Sequence, residues 1–289
     1  MKRNINWYNT INFIVLLLTA GIFIIEYYKI DNFLGNYNLT YITVLIFAVI
    51  IVHLIKAGRL YLALYGTNIG FCKYIKIYSK VTPVSVVFPF KIGELFRMYC
   101  YGTQLGSLLR GIVVVVLDRF MDTAALVTII FIIWIFNGGQ MALLTYVLLL
   151  FLVFTFSTYF VFPGVYIFWK KYILKAKATE HKLNILKLLE LLNNLYIEVI
   201  NITNGRGVIL YLMSLIAWTV EVGCIALLCG IKNETYFSEK ISDYLSSALG
   251  SGGFSIELNQ FVFFSVIFMI VVYVSIKTFE FIVGERNLK

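Results

Sequence analysis

Six apolar stretches, at about 8–28, 39–65, 107–136, 140–163, 207–229 and 259–283, dominate this sequence. A helix needs roughly 20 mostly apolar residues to cross the hydrocarbon core of a bilayer. In lipid, backbone N–H and C=O groups find no water, so isolated spanning segments of this kind are helical. The expected fold is therefore all-α: a polytopic helical membrane protein with about six spanning helices. Composition agrees, with 61% hydrophobic and 13% charged residues and a mean hydropathy of +0.88. A soluble domain carries about twice that charged fraction. No charged, Gly/Ser-rich or Pro-rich block interrupts the 289 residues, so a single transmembrane domain over 1–289 is the economical reading.

Charge placement sets the expected orientation. Lys2 and Arg3 precede the first stretch, and Lys56, Arg59, Lys73, Lys76 and Lys80 lie at or after the end of the second. Lys170, Lys171, Lys175, Lys177, Lys182, Lys187 and Arg206 follow the fourth, and Arg286 and Lys289 end the chain. The opposite loops hold Lys29, Lys232 and Lys240, offset by Asp31, Glu234, Glu239 and Asp243. Positive loops stay inside, so both termini are expected in the cytoplasm. The net charge of +9 is thereby explained by topology rather than by a nucleic-acid partner. The run after Lys2 and Arg3 lacks a small-residue cleavage site and reads as an uncleaved first helix.

Two further segments fit as re-entrant or broken pieces. Val81–Phe90 is a ten-residue, mostly apolar run containing Pro83 and Pro89 and flanked by Lys80 and Lys91. It is too short to span, and a cytoplasmic hairpin is expected. The second, about 241–257, contains Gly250, Gly252 and Gly253 and would dip from the other face. Opposed broken segments are the sequence sign of an inverted-repeat transporter core. Between the fourth and fifth stretches, the basic loop at about 166–206 contains an amphipathic helix over 181–201. Its Ile185, Leu188, Leu189, Leu192, Leu195 and Val199 recur at helical spacing. Packing under the bundle and attraction of anionic head groups are both open roles.

Charges inside the apolar runs carry the functional signal. Asp118, Arg119 and Asp122 sit about 12 Å into the third span at 1.5 Å per residue, on one face of a helix. Each such charge costs about 2.5–3.5 kcal/mol near the bilayer centre, so they must face protein, water or substrate. Arg119 can pair Asp122 at i, i+3. Lys91, Glu94 and Arg97 follow Pro89 at three-residue intervals, and Gly93 permits close backbone approach. Arg97 suits bidentate phosphate recognition, and Arg59 can reach the same region. These four polar residues form the candidate head-group site, with Asp118, Arg119, Asp122 and Glu221 as an intramembrane polar network. Glu221 is read as pairing across to Arg119 or Arg97, with a protonated, structural glutamic acid as the alternative. A purely structural lock between helices is the competing role for the same charges.

Neither the four cysteines nor the two histidines form a metal-binding pattern, and no nucleophile elbow, P-loop, HExxH or dinucleotide fingerprint is present. No metal, cofactor or catalytic residue is expected.

Arg59, the segment Pro89-Phe-Lys-Ile-Gly-Glu-Leu-Phe-Arg97 and the helix Asp118-Arg-Phe-Met-Asp122 together resemble the lysylphosphatidylglycerol synthase transmembrane-region family, a flippase-like membrane domain. Trp218-Thr-Val-Glu221 is similar to that family's Trp-x-x-Glu. Gly252, Gly253 and Glu257 loosely match its glycine-rich segment, with the proline missing and the glutamate one residue early. The resemblance implies movement of an anionic, aminoacylated or polyprenyl-phosphate-linked lipid between leaflets, without the soluble aminoacyl-transferase domain found in one branch. Membrane lipids are the expected partners. The alternative is a membrane-embedded transferase or an accessory partner of an envelope glycosyltransferase, and a homodimer is an open assembly. The Ile-, Asn- and Lys-rich composition points to an AT-rich bacterial genome, and the expected location is the bacterial cytoplasmic membrane.

Overall fold

The structure, a computed structural model, describes residues 2–27, 39–67, 69–88, 92–137, 143–175, 179–231, 237–249 and 255–286. Regular structure in these residues is helical throughout. The helices are α1 (Lys2–Glu26), α2 (Leu39–Ala63), α3 (Phe71–Val87), α4 (Ile92–Leu105), α5 (Leu108–Asn137), α6 (Leu143–Lys175), α7 (Glu180–Thr203), α8 (Gly207–Ile231), α9 (Phe237–Leu249) and α10 (Ile256–Arg286). The chain is an all-α polytopic membrane protein. By length and composition, segments of α2, α6, α8 and α10 qualify to cross a bilayer, and α1 holds a shorter apolar stretch, Thr10–Glu26. At 30 residues α5 is as long as these, but it carries Arg110, Asp118, Arg119 and Asp122 in its first half.

Helix α2 lies along α8, α5 packs against α8 and also touches α2, and α10 lies against α2 and α3. Lipid tails are as apolar as leucine, so burial of apolar area cannot by itself hold such helices together; close packing and polar contacts do. Three apolar clusters mark where the packing is closest. One joins α2, α3, α4 and α5 through Leu60, Tyr74, Val81, Tyr101 and Val115. The second joins α5, α8 and α9 through Ala125, Ile225 and Tyr244, and the third joins α2, α8 and α10 through Tyr41, Val52, Leu228 and Phe261.

The segment expected to break near Pro83 does not do so. Pro83 is buried inside α3, which continues to Val87. Proline removes one backbone bond, and serine and threonine side chains in a lipid-embedded helix can satisfy nearby carbonyls. Here Thr82 Oγ1 donates to the Tyr78 carbonyl (2.7 Å) and Ser85 Oγ to the Thr82 carbonyl (3.0 Å). The helix ends where Phe88 turns extended. The resulting hairpin has arms α3 and α4, longer than the ten residues of Val81–Phe90. Pro89 and Lys91 lie outside the described residues, as do Gly252 and Gly253.

Two glycine contacts make this hairpin and the next one close. A Cβ on Gly93 would lie 2.3 Å from the Val84 carbonyl oxygen, and one on Gly111 would lie 2.4 Å from the Gly102 nitrogen. Only glycine lets α3 meet α4, and α4 meet α5, at these distances. Between α4 and α5, Gly106 takes a φ of +69° and Ser107 N–H donates back to the Gly102 carbonyl at 3.1 Å. That pairing is the Schellman closure of a helix C-terminus.

Helix α6 runs unbroken to Lys175, past Pro163 and past the expected span end near residue 163. The amphipathic stretch is realised as α7, longer by a few residues than 181–201. Its Leu195 and Val199 pack against the first cluster, while Leu188 and Ile185 are exposed. In the second broken segment, α9 ends at Leu249 and α10 begins at Ile256, which puts Glu257 in the first turn of α10.

Candidate functional site

Polar residues spaced three or four apart on an apolar helix share one face. On α2, Lys56 and Arg59 have that spacing; on α4, Glu94 and Arg97; on α5, Asp118 and Asp122; on α8, Ser214, Trp218 and Glu221. The fold turns all four faces toward one another.

Asp118 is the hub. Its Oδ1 accepts from Arg59 Nε (2.9 Å) and Nη2 (2.6 Å), and its Oδ2 accepts from Arg97 Nη2 (2.7 Å). One buried carboxylate thus bridges guanidinium groups from α2 and α4. Arg59 Nη1 also donates to Asp122 Oδ1 at 2.9 Å and to Ser214 Oγ on α8. Glu94 lies 3.6 Å from Arg97 and bonds Arg119. Beside this cluster, Lys56 Nζ donates to Glu221 Oε1 at 2.6 Å and sits over the Trp218 ring, 5.3 Å from its centroid. Tyr244 on α9 donates to Glu221 Oε2 at 3.2 Å, and Trp218 Nε1 donates to the Asp122 carbonyl at 3.2 Å. The spacing Trp218-x-x-Glu221 is explained by this pair of contacts to one lysine.

Arg59, Glu94, Arg97, Asp118 and Glu221 are buried, whereas the Arg119 side chain is 46% exposed. Lys56, Arg59, Arg97 and Arg119 balance Glu94, Asp118, Asp122 and Glu221, so the cluster is neutral as a whole. Neutrality is what a low-dielectric interior demands, since stranding one partner of a buried pair costs about 3–5 kcal/mol.

The expected pairings differ in detail. Asp122 pairs Arg59 rather than Arg119, because Arg119 turns toward Glu94 on α4. Glu221 pairs neither Arg119 nor Arg97 but Lys56. Arg59, Glu94 and Arg97, taken from sequence as a head-group site, join Asp118, Arg119 and Asp122 in one connected set, with Glu221 alongside. Glu257 stands apart, accepting from Ser255 Oγ (3.0 Å) and lying 3.6 Å from Lys240. Sequence reasoning missed Lys56, Ser214 and Tyr244. The first two were detectable, Lys56 one turn before Arg59 and Ser214 two turns before Glu221. Tyr244 carried no such signal because its partner lies on another helix. Among the described residues, no group of three or more His, Cys, Asp or Glu side chains is placed to hold a metal ion.

No curated protein and no solved structure matches the chain. The lysylphosphatidylglycerol synthase TM region family matches residues 12–233, from α1 to the end of α8, and so takes in every charged member of the cluster but not α9 or α10. The match covers well over half of the chain, and the polar faces that meet at Asp118 all lie within it. This multi-pass membrane protein belongs to the lysylphosphatidylglycerol synthase TM region family, whose members are tied to lipid modification or translocation.

Proposed function

We infer that the chain is a translocase that moves an anionic, aminoacylated or polyprenyl-phosphate-linked lipid between leaflets of the bacterial cytoplasmic membrane, with both termini in the cytoplasm. The observation that carries this reading is the sharing of Asp118 between Arg59 and Arg97. A phosphate presents oxygens in much the same bidentate arrangement as a carboxylate. It can therefore take the place of Asp118 on Arg97 while Asp118 keeps Arg59. Exchange of partners leaves each arginine paired at every stage, which is how a polar head group can pass a region where an unpaired charge is costly. Glu94 adds a second feature. Its Oε2 is buried without a hydrogen-bond donor among the described residues, 3.6 Å from Arg97. An ammonium on an aminoacylated head group would satisfy that oxygen as its phosphate engages the arginine.

The test is transbilayer movement of fluorescent phosphatidylglycerol in liposomes, read by bleaching the outer leaflet. Wild-type protein should allow bleaching beyond the outer-leaflet fraction. Arg97→Gln, shown to be folded by its melting curve, should restore a protected inner-leaflet signal. Arg97→Lys, which keeps the charge but loses the fork, should be slowed. Full movement in folded Arg97→Gln would remove the site assignment. Protected signal with wild type, together with product formed from a lipid-linked donor, would favour the transferase or glycosyltransferase-partner alternative.

A further inference from the structure

A second polar feature lies away from the ion-pair cluster, at the end of the bundle where α1 begins and α10 finishes. A cavity of about 350 Å³ opens there between α1, α3 and α10, with Gln104 of α4 also on its wall, and none of the cluster residues lines it. Lys73, Lys76 and Lys80 fall at i, i+3 and i+7 on α3 and so share one face, and Lys277 joins them from α10. Only Lys76 has a carboxylate partner among the described residues, Glu280, at 2.6 Å. Among the described residues, Lys73, Lys80 and Lys277 around this cavity have no carboxylate partner.

Lys80 is the most informative of them. It is only 8% exposed, yet the groups that hold its Nζ are Tyr8 Oη at 3.0 Å, Asn12 Oδ1 at 3.0 Å and the Cys100 side chain, with the Tyr8 and Phe96 rings nearby and no carboxylate among the described residues. Tyr8 and Asn12 line the same cavity. Burying an ammonium without a counter-ion is costly, so an anion entering this cavity would offset a penalty the fold otherwise carries. The remaining wall includes Leu16 and Phe13, and Phe13 is also among the exposed apolar side chains of α1. The basic chamber is therefore continuous with an apolar surface. A free anion has no use for that surface, whereas a lipid carries head group and chain in this order.

We propose that this cavity is a binding site for the phosphate of an anionic lipid, with Lys80 at its floor, Lys73 and Lys277 at its rim, and the acyl chain running out past Phe13. It is separate from the translocation reading, because occupancy of the cavity is measured without movement across the bilayer. Near an anionic lipid each lysine strengthens attraction by roughly five-fold.

Detergent-purified protein would be titrated with dioctanoyl phosphatidylglycerol, dioctanoyl phosphatidylcholine and inorganic phosphate by calorimetry. Phosphatidylglycerol should bind at least ten-fold tighter than either of the others. The rim variant K73Q/K277Q, which alters two lysines without an ion-pair partner among the described residues and should fold normally, should weaken it about twenty-fold. Lys80→Met should weaken it further if folded, and the rim variant decides the matter if it is not. Equal affinity for phosphatidylcholine, or an unchanged constant in K73Q/K277Q, would overturn the site. Equal affinity for inorganic phosphate would overturn the lipid assignment. Arg110→Gln, which removes an exposed arginine outside both this cavity and the ion-pair cluster, serves as the charge control: it should bind phosphatidylglycerol as wild type does, and an equal loss there would overturn the site.

Discussion

Helices α5 and α6 are neighbours of similar length, yet the protein treats them in opposite ways. On α5, two carboxylates and an arginine meet α2 and α4, the Asp122 carbonyl accepts from Trp218 on α8, and Gly111 brings the α5 backbone against α4. On α6, only Thr145 and Ile173 are buried, and Leu150, Phe154 and Phe160 point outward. Both helices are apolar, so the hydrophobic effect does not distinguish them once they are in a bilayer. What differs is polar pairing and backbone proximity. The α5 side specifies the bundle; α6 is solvated by lipid and adds little that is unique.

The largest break in this contrast comes from the hub. Asp118→Asn removes the carboxylate shared by two buried guanidinium groups and should destabilise the protein by about 3–5 kcal/mol, whereas Leu150→Ala on α6 should stay within about 0.5 kcal/mol. Unfolding in mixed micelles would check both, and equal losses would erase the distinction between the two helices. Next is Gly93→Ala. Its methyl would sit 2.3 Å from a backbone oxygen, and an overpacked contact of this kind costs about 1–3 kcal/mol, more than the helix propensity that alanine adds. Lys56→Met should cost about 1–2 kcal/mol by stranding Glu221, and adding Glu221→Gln should recover part of it; strict additivity in that cycle would mean that the 2.6 Å pair is not coupled. The smallest effect is expected at Arg110→Ala. Its partner Glu198 tethers α7 to α5 from an exposed position, so the loss should be under about 1 kcal/mol and vanish in high salt.

Much of this arrangement could be read from the chain. Helical class followed from the apolar runs, and the intramembrane charges of α5 stood out because lipid makes each one costly. Glu94 and Arg97 were legible from their three-residue spacing after Pro89, and Arg59 from its place near the end of the second apolar run. Which charge pairs with which was not. Arg119 and Asp122 are one turn apart on the same helix, and local spacing favours their pairing. Tertiary packing overrides it by offering Asp122 the Arg59 fork and Arg119 the Glu94 carboxylate. Pro83 failed as a signal for a related reason: its local penalty is fixed, but the helix around it is held by burial of Tyr78, Val81 and Val84. Lys73, Lys76 and Lys80 were read as orientation signals, which accounts for their sign but not for the depth at which Lys80 is held.

The most direct test of the central claim sets Arg119→Gln beside Leu150→Ala in the same liposome assay. Arg119 is half exposed, so its loss should leave the fold intact while removing the partner that holds Glu94. We predict that movement of labelled phosphatidylglycerol is lost in Arg119→Gln and unchanged in Leu150→Ala. Equal movement in the two folded proteins would contradict the assignment of the charge cluster as the path of the head group.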